Sequence, residues 1–433
     1  TLKANWKYYL DEADQTPEVA EKLRVLRSQS PVRSPEDIRL VDPCMGSGHI
    51  VVYAFDVLMQ IYESYGYSQR DAAKSIIENN LYGLDIDNRA YQLAYFAVMM
   101  KARQYNRRIL NADTKPHVYA IQESNGINRD QLQYFGASMN EMQRNIATLQ
   151  VEELLDTFID AKEYGSILNV ENYDWELLRQ FVEHIGMIGQ LSFDIIGIEY
   201  TQAQLRLLIE IGAVMARKYD VVVTNPPYMK SDNMTSKLSE YVISYKQNVK
   251  YDLYAAFICI CRDYLKENGI LSMITMHNFM FAPSFQELRN ELKLWDWISL
   301  LHLGSRAFSE ISGEVVQTVA YVIAKSNSNR NLYVIDVTDE KVPDNKKKSF
   351  LESKDQGYTF NLKNIDLIPC NAFGYSLGNQ IIELYKNKQI LDNFGVSKAG
   401  VVTGADEYFI KFWYEIDNNK ITYFPKPNEL YDY

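Results

Sequence analysis

Two hydropathy periods alternate along the first third of the chain. Short β-branched runs with every second position apolar predict strands; stretches with apolar residues three and four apart predict helices. Residues 38–43 form a strand-like run closed by Pro43, 49–65 a helical pattern, 81–87 a second strand, 89–106 a second helix and 117–121 a third strand. From 126 to 216 the pattern is mostly helical (Met139, Met142, Ile146, then Leu154, Leu155 and Phe158), which marks a helical insertion. The run 219–224 restores the strand period, followed by a helix over 253–266 and strands over 270–275, 297–303 and 318–323.

Strands alternating with helices of this length build βαβ units, so the expected fold is α/β: a seven-stranded, mostly parallel sheet with helices on both faces. The gap between the last two strands is too short for a helix, which makes the final strand antiparallel. The expected division is a helical lead-in over 1–37, one half of the sheet domain over 38–125, the insertion over 126–216, the second half over 217–325, a connecting segment over 326–375, and a further region from 376 to 433 that is cut short.

Composition narrows the class. With 433 residues, 47% hydrophobic and 23% charged, the chain is an ordinary globular protein of two to three domains, neither collagenous nor disordered. A net charge of −11 excludes a bulk polycation and leaves room for a local basic groove. Cys44, Cys259, Cys261 and Cys370 have no disulfide-framework spacing, which suits a reducing cytoplasm. No apolar run reaches the ~20 residues of a bilayer span. Cys259 and Cys261 fall two apart on a predicted helix and the histidines are scattered, so no metal site is expected. The chain begins at Thr1 and is expected to be a fragment of a longer protein.

Three constellations carry chemistry. Asp42-Pro43-Cys44-Met45-Gly46-Ser47-Gly48 ends the first strand and opens a helix, where an open parallel sheet binds its ligands. Gly83-Leu84-Asp85-Ile86-Asp87 puts carboxylates at the next strand tip, with Asp85 as a ribose ligand, Ile86 against an adenine ring, and Asp87 as the cap of the following helix. No Gly-x-Gly-x-x-Gly cradle for pyrophosphate occurs, which favours an adenosine ligand without phosphates. Asn225-Pro226-Pro227-Tyr228 ends the fourth strand. The Asn225 side-chain oxygen and the Pro226 carbonyl are two acceptors for the two N–H bonds of a ring-bound amine, Pro227 stiffens the turn, and Tyr228 offers a stacking surface.

On these motifs the sequence resembles the gamma-class S-adenosylmethionine-dependent N6-adenine DNA methyltransferases and, in the wording around them, the PglX family of BREX phage-defence methyltransferases. The resemblance covers about 38–325. It implies a Rossmann-like methyltransferase sheet, S-adenosyl-L-methionine as cofactor, and a truncated target-recognition region at 376–433. It implies that Asp42, Pro43, Cys44, Gly46 and Gly48 hold the methionine part, Asp85 the ribose and Ile86 the adenine. An acidic residue at the third strand tip, Glu123 or the alternative Asp113, would face the adenine amine. It further implies catalysis by Asn225, Pro226, Pro227 and Tyr228 on an adenine flipped from double-stranded DNA, stacked by Tyr228 and Phe308, with Phe279 and Phe281 as alternatives to Phe308. Other defence-system proteins would be partners, with no membrane and no metal. The family's lid motif before the first strand has no convincing match, and it is expected upstream of Thr1. Two other readings keep their place: a methyltransferase acting on RNA adenine or protein glutamine, and a DNA- or partner-binding defence subunit with silent catalysis.

Overall fold

The computed structural model describes residues 2–29, 32–111, 113–185, 192–307, 316–378, 380–382 and 385. The chain divides into two compact units, Thr1–Ile382 and Glu383–Tyr433. The sheet and its helices belong to the first unit; most of the expected recognition region lies outside the described residues.

The sheet has nine strands among the described residues: β1 Leu40–Asp42, β2 Leu81–Asp85, β3 His117–Ala120, β4 Tyr219–Thr224, β5 Leu265–Met276, β6 Asp296–Ser305, β7 Gln317–Ala324, β8 Leu332–Asp336 and β9 Tyr358–Phe360. Their order across the sheet is β3-β2-β1-β4-β5-β7-β6-β8-β9. The pairs from β3 to β5 are parallel, β7 runs antiparallel between β5 and β6, β8 is parallel to β6, and β9 is antiparallel to β8.

The seven expected strands are present, and β7 has the expected direction, but the sheet is nine-stranded and mixed rather than seven-stranded and mostly parallel. The two extra strands come from the stretch assigned to a connecting segment. They are short and lie in polar surroundings, so their period is too brief to stand out. β8 pairs with the Ser299–His302 edge of β6, which would otherwise expose unpaired backbone groups, and β9 in turn pairs with β8. Lys346, Lys347 and Lys348 lie in a helix, Pro343–Ser353, where Lys346 is buried and donates to the carbonyls of Leu303 (2.6 Å) and Val337 (3.0 Å).

Helices cover both faces. On one, helices His49–Ser64 and Asn88–Tyr105 bury Val51, Phe55, Leu58 and Val98. On the other, Leu154, Phe181 and Leu208 of the insertion share a core with Val41 and Val222 of the sheet and Phe257 of helix Leu253–Asp263. The insertion is therefore the layer that closes this face. Between β1 and β4 the strand order turns from descending to ascending. At such a switch point the loops leaving the strands part and open a crevice beyond the carboxyl ends.

Candidate active site

The loop after β1 is folded across the tip of β2. Met45 N–H donates to the Leu84 carbonyl (2.9 Å), Gly46 N–H to Asp85 Oδ2 (2.9 Å), and Asp87 N–H to Asp85 Oδ1 (2.9 Å). Gly48 has φ +86°, and a Cβ there would stand 3.0 Å from the Ala94 backbone, so only glycine lets the two helices approach this closely. Asp87 caps the second helix, accepting from Arg89 N–H (2.8 Å), as its position predicts.

Beneath the loop Asp42 is fully buried. Its Oδ1 accepts from Cys44 N–H (3.0 Å) and from the Thr224 hydroxyl (2.7 Å), which ties the tip of β1 to the tip of β4. Oδ2 is buried with no partner among the described residues. Burial pushes the Asp42 carboxyl up to about 7, the Thr224 and Cys44 hydrogen bonds opposing it and Asp85 adding to it. Burial likewise pushes the Cys44 thiol up, with Asp42 reinforcing it, so Cys44 is a neutral thiol.

At the end of β4, Asn225 and Pro227 are exposed, Pro226 is buried and Tyr228 is half-buried. The Tyr228 hydroxyl donates to Asn225 Oδ1 (2.9 Å), with the Ile274 carbonyl 3.3 Å away, and its ring packs edge-on against Tyr254. Burial raises the Tyr228 hydroxyl far above its ordinary range, so it remains a donor. Asp252 accepts from Met229 N–H (3.1 Å), and the Met229 carbonyl accepts from Leu253 N–H (2.9 Å). The loop is thus fastened to the start of helix Leu253–Asp263. Asp252 was legible only as a helix cap, immediately before an apolar helical run.

The tips of β1, β2 and β4 face one cavity of about 350 Å³. Pro43, Cys44, Asp85 and Ile86 line it from the first half of the sheet, Asn225, Pro227 and Met229 from the second, and Leu238, Leu253 and Phe257 form its apolar side. The remaining wall, Lys162 to Ser166, belongs to the insertion. Nothing in the sequence pointed to that segment, because no local period or motif marks it. Ser166 anchors it, its hydroxyl donating to the Pro43 carbonyl (2.7 Å) while its own carbonyl accepts from Tyr264 (2.9 Å).

Asp42, Gly46, Gly48, Pro226 and Tyr228 support this cavity without lining it. Glu123, just past β3, does not line it either; its carboxylate accepts from Lys162 N–H (3.3 Å). Phe308 lies outside the described residues. Of its alternatives, Phe279 is fully buried among Trp297, Tyr321 and Phe373, whereas Phe281 is 38% exposed beside His277. A larger hollow of about 620 Å³, between Tyr8 and Leu10 of the lead-in and the β6–β7 face, contains none of the motif residues. Among the described residues no group of three or more His, Cys, Asp or Glu could hold a metal, and no helix is long and apolar enough to cross a membrane.

The chain is similar to known proteins over nearly its whole length. The chain is 36% identical, over 98% of its length, to the adenine-specific methyltransferase PglX of Lacticaseibacillus casei (strain Zhang). It is 35% identical, over 99% of its length, to the adenine-specific methyltransferase BrxX of Escherichia coli O9:H4 (strain HS). It covers 35% and 36% of these proteins, so it spans about a third of the length of the curated relatives it matches. A solved nuclease-deletion mutant of the type ISP restriction-modification enzyme LlaGI, in complex with a DNA substrate mimic, aligns with a TM-score of 0.46 at 14% identity, over 80% of this chain and 26% of that one. Residues 79–306, more than half of the chain, match the family model for the Eco57I restriction-modification methylase. The chain belongs to the Eco57I restriction-modification methylase family.

Proposed function

We propose that this chain is the methyltransferase portion of an adenine-specific DNA methyltransferase, acting on the N6 amine of an adenine flipped out of duplex DNA within a BREX or restriction-modification defence system. One observation carries the reading: the β1 and β2 tips and the Asn225-Pro226-Pro227-Tyr228 turn, separated by more than a hundred residues, open onto one cavity.

That cavity suits S-adenosyl-L-methionine. Its volume falls in the ~300–1,000 Å³ span of small-molecule sites. Asp42 Oδ2 is a buried acceptor with no partner among the described residues, next to Pro43 and Cys44, which would hold the methionine end. Asp85 is already oriented by two backbone N–H groups and keeps lone pairs for ribose hydroxyls. Ile86, 52% exposed, offers apolar surface to an adenine ring. When bound, the cofactor supplies an electrophilic methyl group on a sulfonium.

The chain's own residues do the rest. An adenine amine is a poor nucleophile because its lone pair is delocalised into the ring. The Asn225 oxygen, turned and held by the Tyr228 hydroxyl, keeps a second lone pair for one N–H of that amine. The Pro226 carbonyl, fixed by the rigid Pro-Pro turn, takes the other. Two such acceptors draw the nitrogen towards tetrahedral geometry and localise its lone pair, and neither has to be a strong base. Holding the amine in line with the methyl donor is the larger part of the catalysis. The adenine must leave the duplex to reach Asn225, at a cost of a few kcal/mol that stacking on Tyr228 helps to offset.

The test offers radiolabelled S-adenosylmethionine with duplex DNA, RNA and a glutamine-bearing protein to the full-length protein. Label is expected in N6-methyladenine of duplex DNA. Asn225→Ala should lower the transfer rate by a factor on the order of 10²–10³ and leave cofactor affinity within about threefold. Label in RNA or protein alone, or an active Asn225→Ala variant, overturns the reading.

A further inference from the structure

The wall supplied by the insertion has a chemistry of its own. Lys162 and Glu163 are charged residues on a cavity otherwise lined largely by apolar side chains. Gly165 fixes which end of the cavity they occupy. Its φ is +63°, and a Cβ there would stand 2.9 Å from Ile86 Cγ2, so the segment abuts the tip of β2. That is the end which Asp85 and Ile86 mark for a nucleoside.

The segment is held from three sides. From beyond β3, Glu123 accepts Lys162 N–H, and Asn125 exchanges two hydrogen bonds with Asp160 (2.7 and 2.8 Å). From helix Ser236–Tyr245, Lys237 pairs with Asp160 (2.6 Å), Tyr241 donates to the Ile167 carbonyl (3.2 Å), and its ring packs on Tyr164 at 4.9 Å. From the β1 loop, the Pro43 carbonyl holds Ser166. A wall fixed this way discriminates ligands at little reorganisation cost. Glu163 is tied by one carboxylate oxygen only, which accepts from the Thr235 hydroxyl; the other takes no hydrogen bond from any described residue.

An adenine presents an N–H donor at its six-position, whereas a six-oxo purine presents an acceptor. We propose that Glu163 reads the exocyclic amine of the cofactor's adenine. The insertion thereby supplies the base specificity of the cofactor site. Glu123 acts through it as a positioning residue, by accepting from the Lys162 backbone. The proposal rests on the reading of the cavity as the S-adenosylmethionine site.

The experiment is calorimetry on the full-length protein with two probes, S-adenosylhomocysteine and S-inosylhomocysteine. The wild type should prefer the adenosyl ligand by roughly ten- to a hundredfold. Glu163→Gln keeps the shape and the Thr235 contact but adds a donor, and should abolish or reverse that preference. Glu163→Asp, which retracts the carboxylate by one methylene, should reduce it and serves if the glutamine variant fails to fold. Glu123→Gln, which loosens the Lys162 backbone, should lower the preference partway, by less than Glu163→Gln does. A wild-type ratio in both Glu163 variants, or loss of preference in Glu123→Gln with none in Glu163→Gln, overturns the proposal. A wild type that binds neither probe instead removes the cofactor reading of the cavity, a separate outcome.

Discussion

Asp42 should make cofactor binding release a proton. The carboxyl is fully buried, its Oδ2 has no partner among the described residues, and burial pushes it up to about 7, so at neutral pH about half of the ligand-free molecules hold it protonated. A cationic methionine end bound against Pro43 and Cys44 would favour the carboxylate form of the neighbouring Asp42. By linkage, S-adenosylhomocysteine should bind about fivefold more tightly at pH 7 than at pH 6, and the protons released per site should fall from about 0.9 to about 0.5. The sign for stability is opposite. A carboxyl whose folded value lies above its unfolded one of 3.8 contributes stability that is complete below 3.8 and is lost as the pH rises through 7. The ligand-free protein should therefore lose about 1.4 kcal/mol between pH 6 and pH 8 from this group. Asp42→Asn should abolish both dependences and weaken binding by roughly ten- to a hundredfold, the value of a charge-assisted hydrogen bond. Calorimetry in two buffers of different ionisation enthalpy counts the protons, and urea unfolding gives the stability. A wild-type affinity that is flat between pH 6 and pH 7, with no proton released, would refute the assignment of Asp42 to the ligand's cation.

Tyr228→Phe removes the hydroxyl that turns the Asn225 amide, and single-turnover methylation should slow by about tenfold with cofactor affinity unchanged. Arg289 is fully buried and serves the carbonyls of Phe279, Ala282, Cys370 and Asn371, so Arg289→Met should cost at least about 3 kcal/mol in urea unfolding by leaving those carbonyls unpaired. His302 is hydrogen-bonded to His277 (2.7 Å) and Tyr375 (2.6 Å); burial lowers it to about 4, against the opposing pull of Asp336. Because the unfolded chain takes up this proton near 6.5 and the folded one does not, stability should fall as the pH drops from 6.5 to 4, and His302→Gln should flatten that part of the melting-temperature profile.

Much of the frame was legible because it depends on short-range rules. A strand ended by Pro43 and a β-branched run ended by Asn225-Pro226 mark their own boundaries, and Asp87 announces a helix start. The same rules fail for β8 and β9: β8 is a strand through its pairing with the edge of β6, and β9 through its pairing with β8. Composition cannot report that Lys346 is buried and donates to the carbonyls of Leu303 and Val337.

The sequence by itself determined the alternation of strands and helices, the two motif-bearing turns and the chemical types they display, since these arise from periodicity and backbone restriction within a few residues. Only the tertiary structure decided that Thr224 reaches Asp42 across 182 positions, that one oxygen of Asp42 is left without a partner among the described residues, and that a piece of the insertion walls the cavity. The reason is physical: burial, desolvation and the meeting of distant side chains are properties of the packed sheet and its two helical layers, and no local pattern encodes which distant groups that packing will bring together.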